Sequence, residues 1–250
     1  MSKIGIFGDS YADPNPGEPR PLENWMTQLS NITSTQNESF GISGISIWKT
    51  YEIFLENYKK YSHIVFVYSD VNRIHHISDN FLGKNYLKPD ALSKLDFYSD
   101  KDKSKIKKII ETYWYFLQND KFDLFVYQNV FNSVNKICKE NNIKLVNIFP
   151  FECIFEADQL IDLELSTGDS FLGLQEISRE EADIGSNPLS MFSFDPRDCH
   201  LTKENNEVLA KLIAKSFDSS KNLVYNIGDS PKSYGFVFNK SISDRYFKGI

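Results

Sequence analysis

The sequence predicts an α/β protein: a mostly parallel sheet with helices on both faces. Three observations lead there. Short apolar runs begin near residues 3, 38, 63 and 143. Segments with apolar residues at helical spacing lie between and after them. Parallel neighbours need crossover connections, and helical crossovers cover the faces of the sheet. A chain of 250 residues suits one such domain with a sizeable core.

Each element follows from its local pattern. "KIGIF" (3–7) is an apolar run stopped by Gly8 and reads as a buried strand. "DPNPGEPRP" (13–21) is a loop, because proline and glycine interrupt both helix and ladder. "LENWMTQLS" (22–30) places Leu22, Trp25, Met26 and Leu29 on one helical face. "ESFGISG" (38–44) is a second strand running into a glycine turn. "SIWKTYEIFLENYKKY" (46–61) carries a stripe of Ile47, Tyr51, Phe54, Leu55 and Tyr58, which predicts a helix. "HIVFVYS" (63–69) is a β-branched run with the look of a strand buried on both faces.

The second half is read the same way. Residues 78–105 are polar and aperiodic, a surface excursion. Segments 105–119 and 122–141 read as helices, and "IKLVNIF" (143–149) as a strand closed by Pro150. Residues 151–198 are acidic with few periodic signals, and "LIDLEL" (160–165) reads as one more strand. "TKENNEVLAKLIAKSF" (202–217) is a helix with Thr202 as its cap and Val208, Leu209, Leu212 and Ile213 as its buried stripe. Residues 1–220 form the expected domain, with 221–250 as a hairpin or arm packed on it.

Composition excludes several classes. A net charge of −6 and a pI near 5.3 argue against nucleic-acid and anionic-membrane partners, which require a basic face. The lysine-rich "KDKSKIKK" (101–108) is flanked by acidic residues and reads as a solvated helix start. No apolar stretch approaches the ~18 residues a membrane helix needs. The N-terminus lacks the apolar core of a signal peptide, so a cytoplasmic location is expected. Cys138, Cys153 and Cys199 have no metal-like spacing and read as reduced thiols. Neither a metal nor another cofactor is expected, and the oligomeric state stays open.

Parallel sheets gather functional groups at the carboxyl ends of their strands. Ser10, Gly44 and residues 69–73 all follow such ends. Gly-Asp-Ser at 8–10 recurs at 228–230, but Pro231 follows the later copy and the last helix precedes it. Ser10 is therefore the candidate nucleophile. A serine hydroxyl needs a base to take its proton, and that base needs orienting. His63 begins a strand and reads as structural, while His75 and His76 read as surface residues. His200 sits in "DPRDCHLTKENNEVLA", with Asp195 and Asp198 close upstream, and either aspartate can turn onto its Nδ1. Gly44 lets a backbone N–H approach a substrate closely, and an Asn amide such as that of Asn72 is a neutral donor suited to an oxyanion. Cys199 adjoins His200, but neighbouring residues rarely aim at each other.

"IFGDS", "FGISGIS", "VYSDVNR" and "DCHLT" stand in the order of the four blocks of the SGNH (GDSL-type) hydrolases, over roughly residues 3–217. The chain resembles that family. The resemblance implies a flavodoxin-like sheet and a metal-free ester hydrolase: an esterase, lipase, thioesterase or carbohydrate O-deacetylase. Ser10 would be the nucleophile and His200 the general base. The N–H groups of Ser10 and Gly44 and the Asn72 side chain would form the oxyanion hole. The expected substrate is a small acyl or acetyl ester, including one on a carbohydrate, with Asp9 and Arg197 as its contacts.

Two blocks depart from the pattern. Ser69 stands where glycine is usual, and Arg197 occupies the place of the aspartate three residues before the histidine. Asp198 lies one residue too close and Asp195 two too far. A guanidinium at 197 suits an anionic substrate group instead. The competing readings are a catalytically degenerate binding module of the same fold and a phosphate binder using the first loop. Asp9 and Asp13 oppose the latter, and no phosphate-loop motif is present.

Overall fold

The computed structural model describes residues 3–14, 24–71, 73, 104–105, 108, 111–112, 115–116, 119–151, 154–155, 160, 168–174, 201, 203–219, 222–227 and 230–236. Strands β1 (Ile4–Phe7), β2 (Asn37–Ser39), β3 (His63–Val67), β4 (Lys144–Phe149), β5 (Gly168–Leu172) and β6 (Val224–Asn226) form one sheet. Their order is β2–β1–β3–β4–β5–β6, and the described pairings are all parallel. The chain steps outward from β1 to β2, then returns across β1 to β3. This is the flavodoxin-like order, and it leaves a switch point where the carboxyl-end loops of β1 and β3 part.

Helices cover both faces. Alternation along β3 sends Val65 and Val67 to one face and Ile64 and Phe66 to the other. On the first face lie Trp25, Met26 and Leu29 of α1 (Trp25–Thr33), with Leu209, Ala210 and Ile213 of α4 (Lys203–Asp218). On the second lie Ile47 and Phe54 of α2 (Ile47–Asn57), with Tyr127, Val130, Phe131 and Val134 of α3 (Asp120–Glu140). The second face is rich in rings: Tyr68 stacks on Phe149 at 4.4 Å, and Phe7 meets Phe54 edge-on at 5.5 Å. Two-sided burial explains why β3 and β4 read as near-continuous apolar runs.

Polar side chains fix where the helices begin. Asn24 accepts from the N–H of Thr27, Ser46 from Lys49, and Asn119 from Lys121 and Phe122. Each satisfies backbone donors that the first turn leaves unpaired. Asn24 thereby starts α1 at Trp25, and Leu22 lies outside the described residues. The last turn of the helix expected to reach residue 61 tightens into a 3-10 turn at Tyr58–Lys60. In the expected helix 105–119, residues 105, 108 and 111–112 are helical.

The later strands differ from expectation. Leu160 is helical, residues 161–165 lie outside the described residues, and the next strand is β5 at Gly168–Leu172. β5 contains a further Gly-Asp-Ser, and its Asp169 is buried at 1% exposure. The Oδ1 of Asp169 accepts the N–H of Leu223 at 2.9 Å, on the chain entering β6. A charged residue inside a strand conceals it from any hydrophobic pattern. β6 comes from the segment expected to form an arm, and Ile227 and Phe236 just beyond it are buried. Among the described residues, no helix is long and apolar enough to cross a membrane.

His63 opens β3 at the amino edge of the sheet, its ring edge-on to Phe217 at 4.7 Å. Burial, aided by the nearby Lys144, lowers its pKa against a smaller opposing effect of Asp218. The folded state therefore resists protonation more than the unfolded chain does. Stability is full above the ordinary histidine value of about 6.5 and declines as pH falls through the lowered one. Urea midpoints measured between pH 7.5 and 5 should fall more steeply for the native protein than for His63→Gln.

Candidate active site

Ser10 lies just past β1, in a tight turn. The N–H of Ala12 donates to the Asp9 carbonyl at 3.0 Å, and the N–H of Tyr11 donates to Asp9 Oδ1 at 3.0 Å. Ser10 is 9% exposed, and among the described residues none takes its hydroxyl in a hydrogen bond. The turn thus holds a serine at the mouth of a strand with its hydroxyl uncommitted among the described residues.

The segment after β2 is stitched to this turn. Phe40 and Ile42 donate their N–H groups to the carbonyls of Ile6 and Gly8, at 2.8 and 3.1 Å. Gly41 lies directly on Ala12: a Cβ there would meet the Ala12 carbonyl carbon at 2.0 Å. Ser39 Oγ donates to the Ala12 carbonyl. Both the N–H of Ser43, at 3.0 Å, and its Oγ donate to Asp13 Oδ2. Gly44 follows at φ +80°, a left-handed conformation that costs glycine little, before Ser46 caps α2. The structure thereby brings the loops of Ser10 and Gly44 together at one sheet edge.

Arg73 joins this edge from the loop after β3. It lies 2.9 Å from Asp9 Oδ2, donates to the Ile45 carbonyl at 2.9 Å, and sits 5.3 Å over the Phe151 ring. Phe151 in turn meets Tyr11 edge-on at 5.9 Å. One guanidinium therefore touches the loops after β1, β2 and β4. Asp9, expected as a substrate contact, is fully buried at 0% exposure, with its charge turned into this pair. Ser69 is also fully buried, and its hydroxyl has no partner among the described residues.

Asn72, Asp195, Arg197, Asp198, Cys199 and His200 lie outside the described residues, as do His75, His76 and Cys153. Leu201, next to His200 in the chain, is described and buried at 3% exposure. His63 stands at the opposite edge of the sheet from Ser10. Burial pushes the Cys138 thiol up to about 12, which makes it inert as a nucleophile. Among the described residues, no group of three or more His, Cys, Asp or Glu side chains is arranged to hold a metal ion.

Arg73 is the residue that sequence reasoning missed. A buried carboxylate beside Ser10 requires a cation. The sequence offers 28 lysines and arginines and does not say which one folds onto it.

No family model matches the chain, and no curated protein does. Solved structures give the following likenesses. A protein assigned to the G-D-S-L lipolytic family from Desulfitobacterium hafniense is 12% identical with a TM-score of 0.35, over 86% of this chain and 99% of that one. An assigned GDSL-like lipase from Parabacteroides merdae is 14% identical with a TM-score of 0.40, over 87% and 95%. An acetylxylan esterase from Geobacillus stearothermophilus is 12% identical with a TM-score of 0.36, over 96% and 83%. The chain resembles the GDSL-type hydrolases. At these identities and TM-scores, the weight of that resemblance stays with the order of the motifs and of the strands.

Removing the guanidinium leaves Asp9 charged and buried without its partner. Arg73→Met should destabilise the fold by about 3 kcal/mol in urea unfolding. Asp9→Asn together with Arg73→Met should recover more than half of that loss, because the stranded charge is gone.

Proposed function

We propose that the protein is a serine-dependent ester hydrolase with Ser10 as its nucleophile. The observation that carries this is the edge just described. A serine whose hydroxyl has no partner among the described residues follows β1, and the left-handed Gly44 is fastened beside its loop by the Asp13–Ser43 bonds. Parallel sheets place their chemistry at this edge, where loops from separate strands converge.

Ser10 Oγ attacks the ester carbonyl while His200 takes its proton, with Asp195 or Asp198 orienting the imidazole. The carbonyl oxygen becomes an oxyanion, and the N–H groups of Ser10 and Gly44 and the Asn72 amide donate to it. Collapse expels the alcohol, which receives the proton from His200 and leaves an acyl-serine. Water then attacks that acyl group, gives its proton to His200, and releases the acid as Ser10 recovers its own. A small acyl or acetyl ester, including one on a carbohydrate hydroxyl, fits this chemistry.

A fluorophosphonate probe should label the native protein at Ser10, located by peptide mapping, and Ser10→Ala should abolish the label. On a panel of p-nitrophenyl esters and acetylated sugars, Ser10→Ala and His200→Ala should each lower kcat at least ~1,000-fold. Labelling that persists in Ser10→Ala, or a native protein that neither labels nor hydrolyses, would sink this reading in favour of a non-catalytic module on the same fold.

A further inference from the structure

We infer that Trp25 and Asn206 are positioning residues for this site, tying the backbone beside Ser10 to the backbone beside His200. The inference rests on the roles proposed above for those two residues. It comes from three hydrogen bonds in series. The indole Nε1–H of Trp25 donates to the Tyr11 carbonyl at 2.8 Å. The backbone N–H of Trp25 donates to Asn206 Oδ1 at 2.9 Å. Asn206 Nδ2 then donates to the Leu201 carbonyl at 2.8 Å. Tyr11 follows Ser10 in the chain, and Leu201 follows His200.

The geometry of this relay goes beyond ordinary helix capping. Trp25 and Asn206 are 181 residues apart, and α1 already has its own cap in Asn24. Trp25 is 3% exposed and Asn206 6% exposed, so water does not readily replace these bonds. Both ends of the Asn206 amide are engaged, which fixes its orientation: the oxygen faces α1 and the nitrogen faces Leu201. Trp25 is the pivot, because its backbone faces one partner and its side chain the other. α1 and α4 pack side by side on one sheet face, so the relay crosses a rigid contact rather than a loose loop.

Nucleophile and base must lie within hydrogen-bond reach, and a displacement of about 1 Å can cost on the order of 100-fold in rate. The relay holds the residue that follows each of them in the chain. Loss of the relay should therefore appear in kcat rather than in KM.

The test uses the full chain and p-nitrophenyl acetate. Asn206→Asp keeps an acceptor for Trp25 and removes the donor to Leu201. Trp25→Phe removes the indole donor while keeping a ring and the backbone N–H. Each should lower kcat about 10-fold or more with KM changed less than about twofold, and should slow fluorophosphonate labelling of Ser10 in proportion. The double variant should be little worse than the poorer single one, because both changes break one chain of contacts. A merely structural role predicts a lower Tm with kcat per folded molecule unchanged, and that result would overturn the inference. Should Asn206→Asp fail to fold, Trp25→Phe alone decides by the same criterion. A native protein that labels, with variants that label equally fast, sinks this inference and leaves the hydrolase reading standing. A native protein that neither labels nor hydrolyses removes both.

Discussion

The Asp9–Arg73 pair is the constraint on which the candidate site depends. A carboxylate with no solvent exposure cannot stay charged without a partner close by. Meeting that need draws the loop after β3 onto the turn after β1. The same guanidinium reaches the Ile45 carbonyl and the Phe151 ring, so the segments after β2 and β4 are drawn in as well. Breaking the pair would leave a buried charge unpaired beside Ser10 and loosen every segment around it.

A second layer of contacts sharpens this frame. Gly41 allows the chain after β2 to lie against Ala12, and Asp13 then binds Ser43 twice. Close approach comes first and hydrogen bonding follows, because a Cβ at position 41 would hold the loops apart. The left-handed turn at Gly44 is built on that contact. Such preorganisation matters for an oxyanion site, where donors must be in place before charge develops.

The element pattern was legible where one physical signal dominates. β1, β3 and β4 are buried on both faces and show as apolar runs, and α1, α2, α3 and α4 each carry an apolar stripe against the sheet. β5 and β6 were not legible. Asp169 interrupts the apolar signal of β5, and one oxygen of its carboxylate accepts a backbone N–H some fifty residues away. β6 is short and only partly buried, so it depends on β5 for its identity as a strand. Gly-Asp-Ser makes the same point. At 8–10 it is a turn that presents a serine, and at 168–170 it is the start of a buried strand. Three letters do not specify a site.

By itself, the sequence determined the alternation of strands and helices, the covered parallel sheet, and the candidacy of Ser10 and Gly44. These are readable because burial periodicity and glycine geometry are local properties of the chain. Tertiary structure decided that Asp9 pairs with Arg73, that Asp13 fastens the Gly44 loop, and that Trp25 meets Asn206. These pairings join residues far apart in the chain, and their energy depends on burial that only the completed fold creates. Many cations and amides in the sequence had the right chemistry for those roles, and packing selected among them.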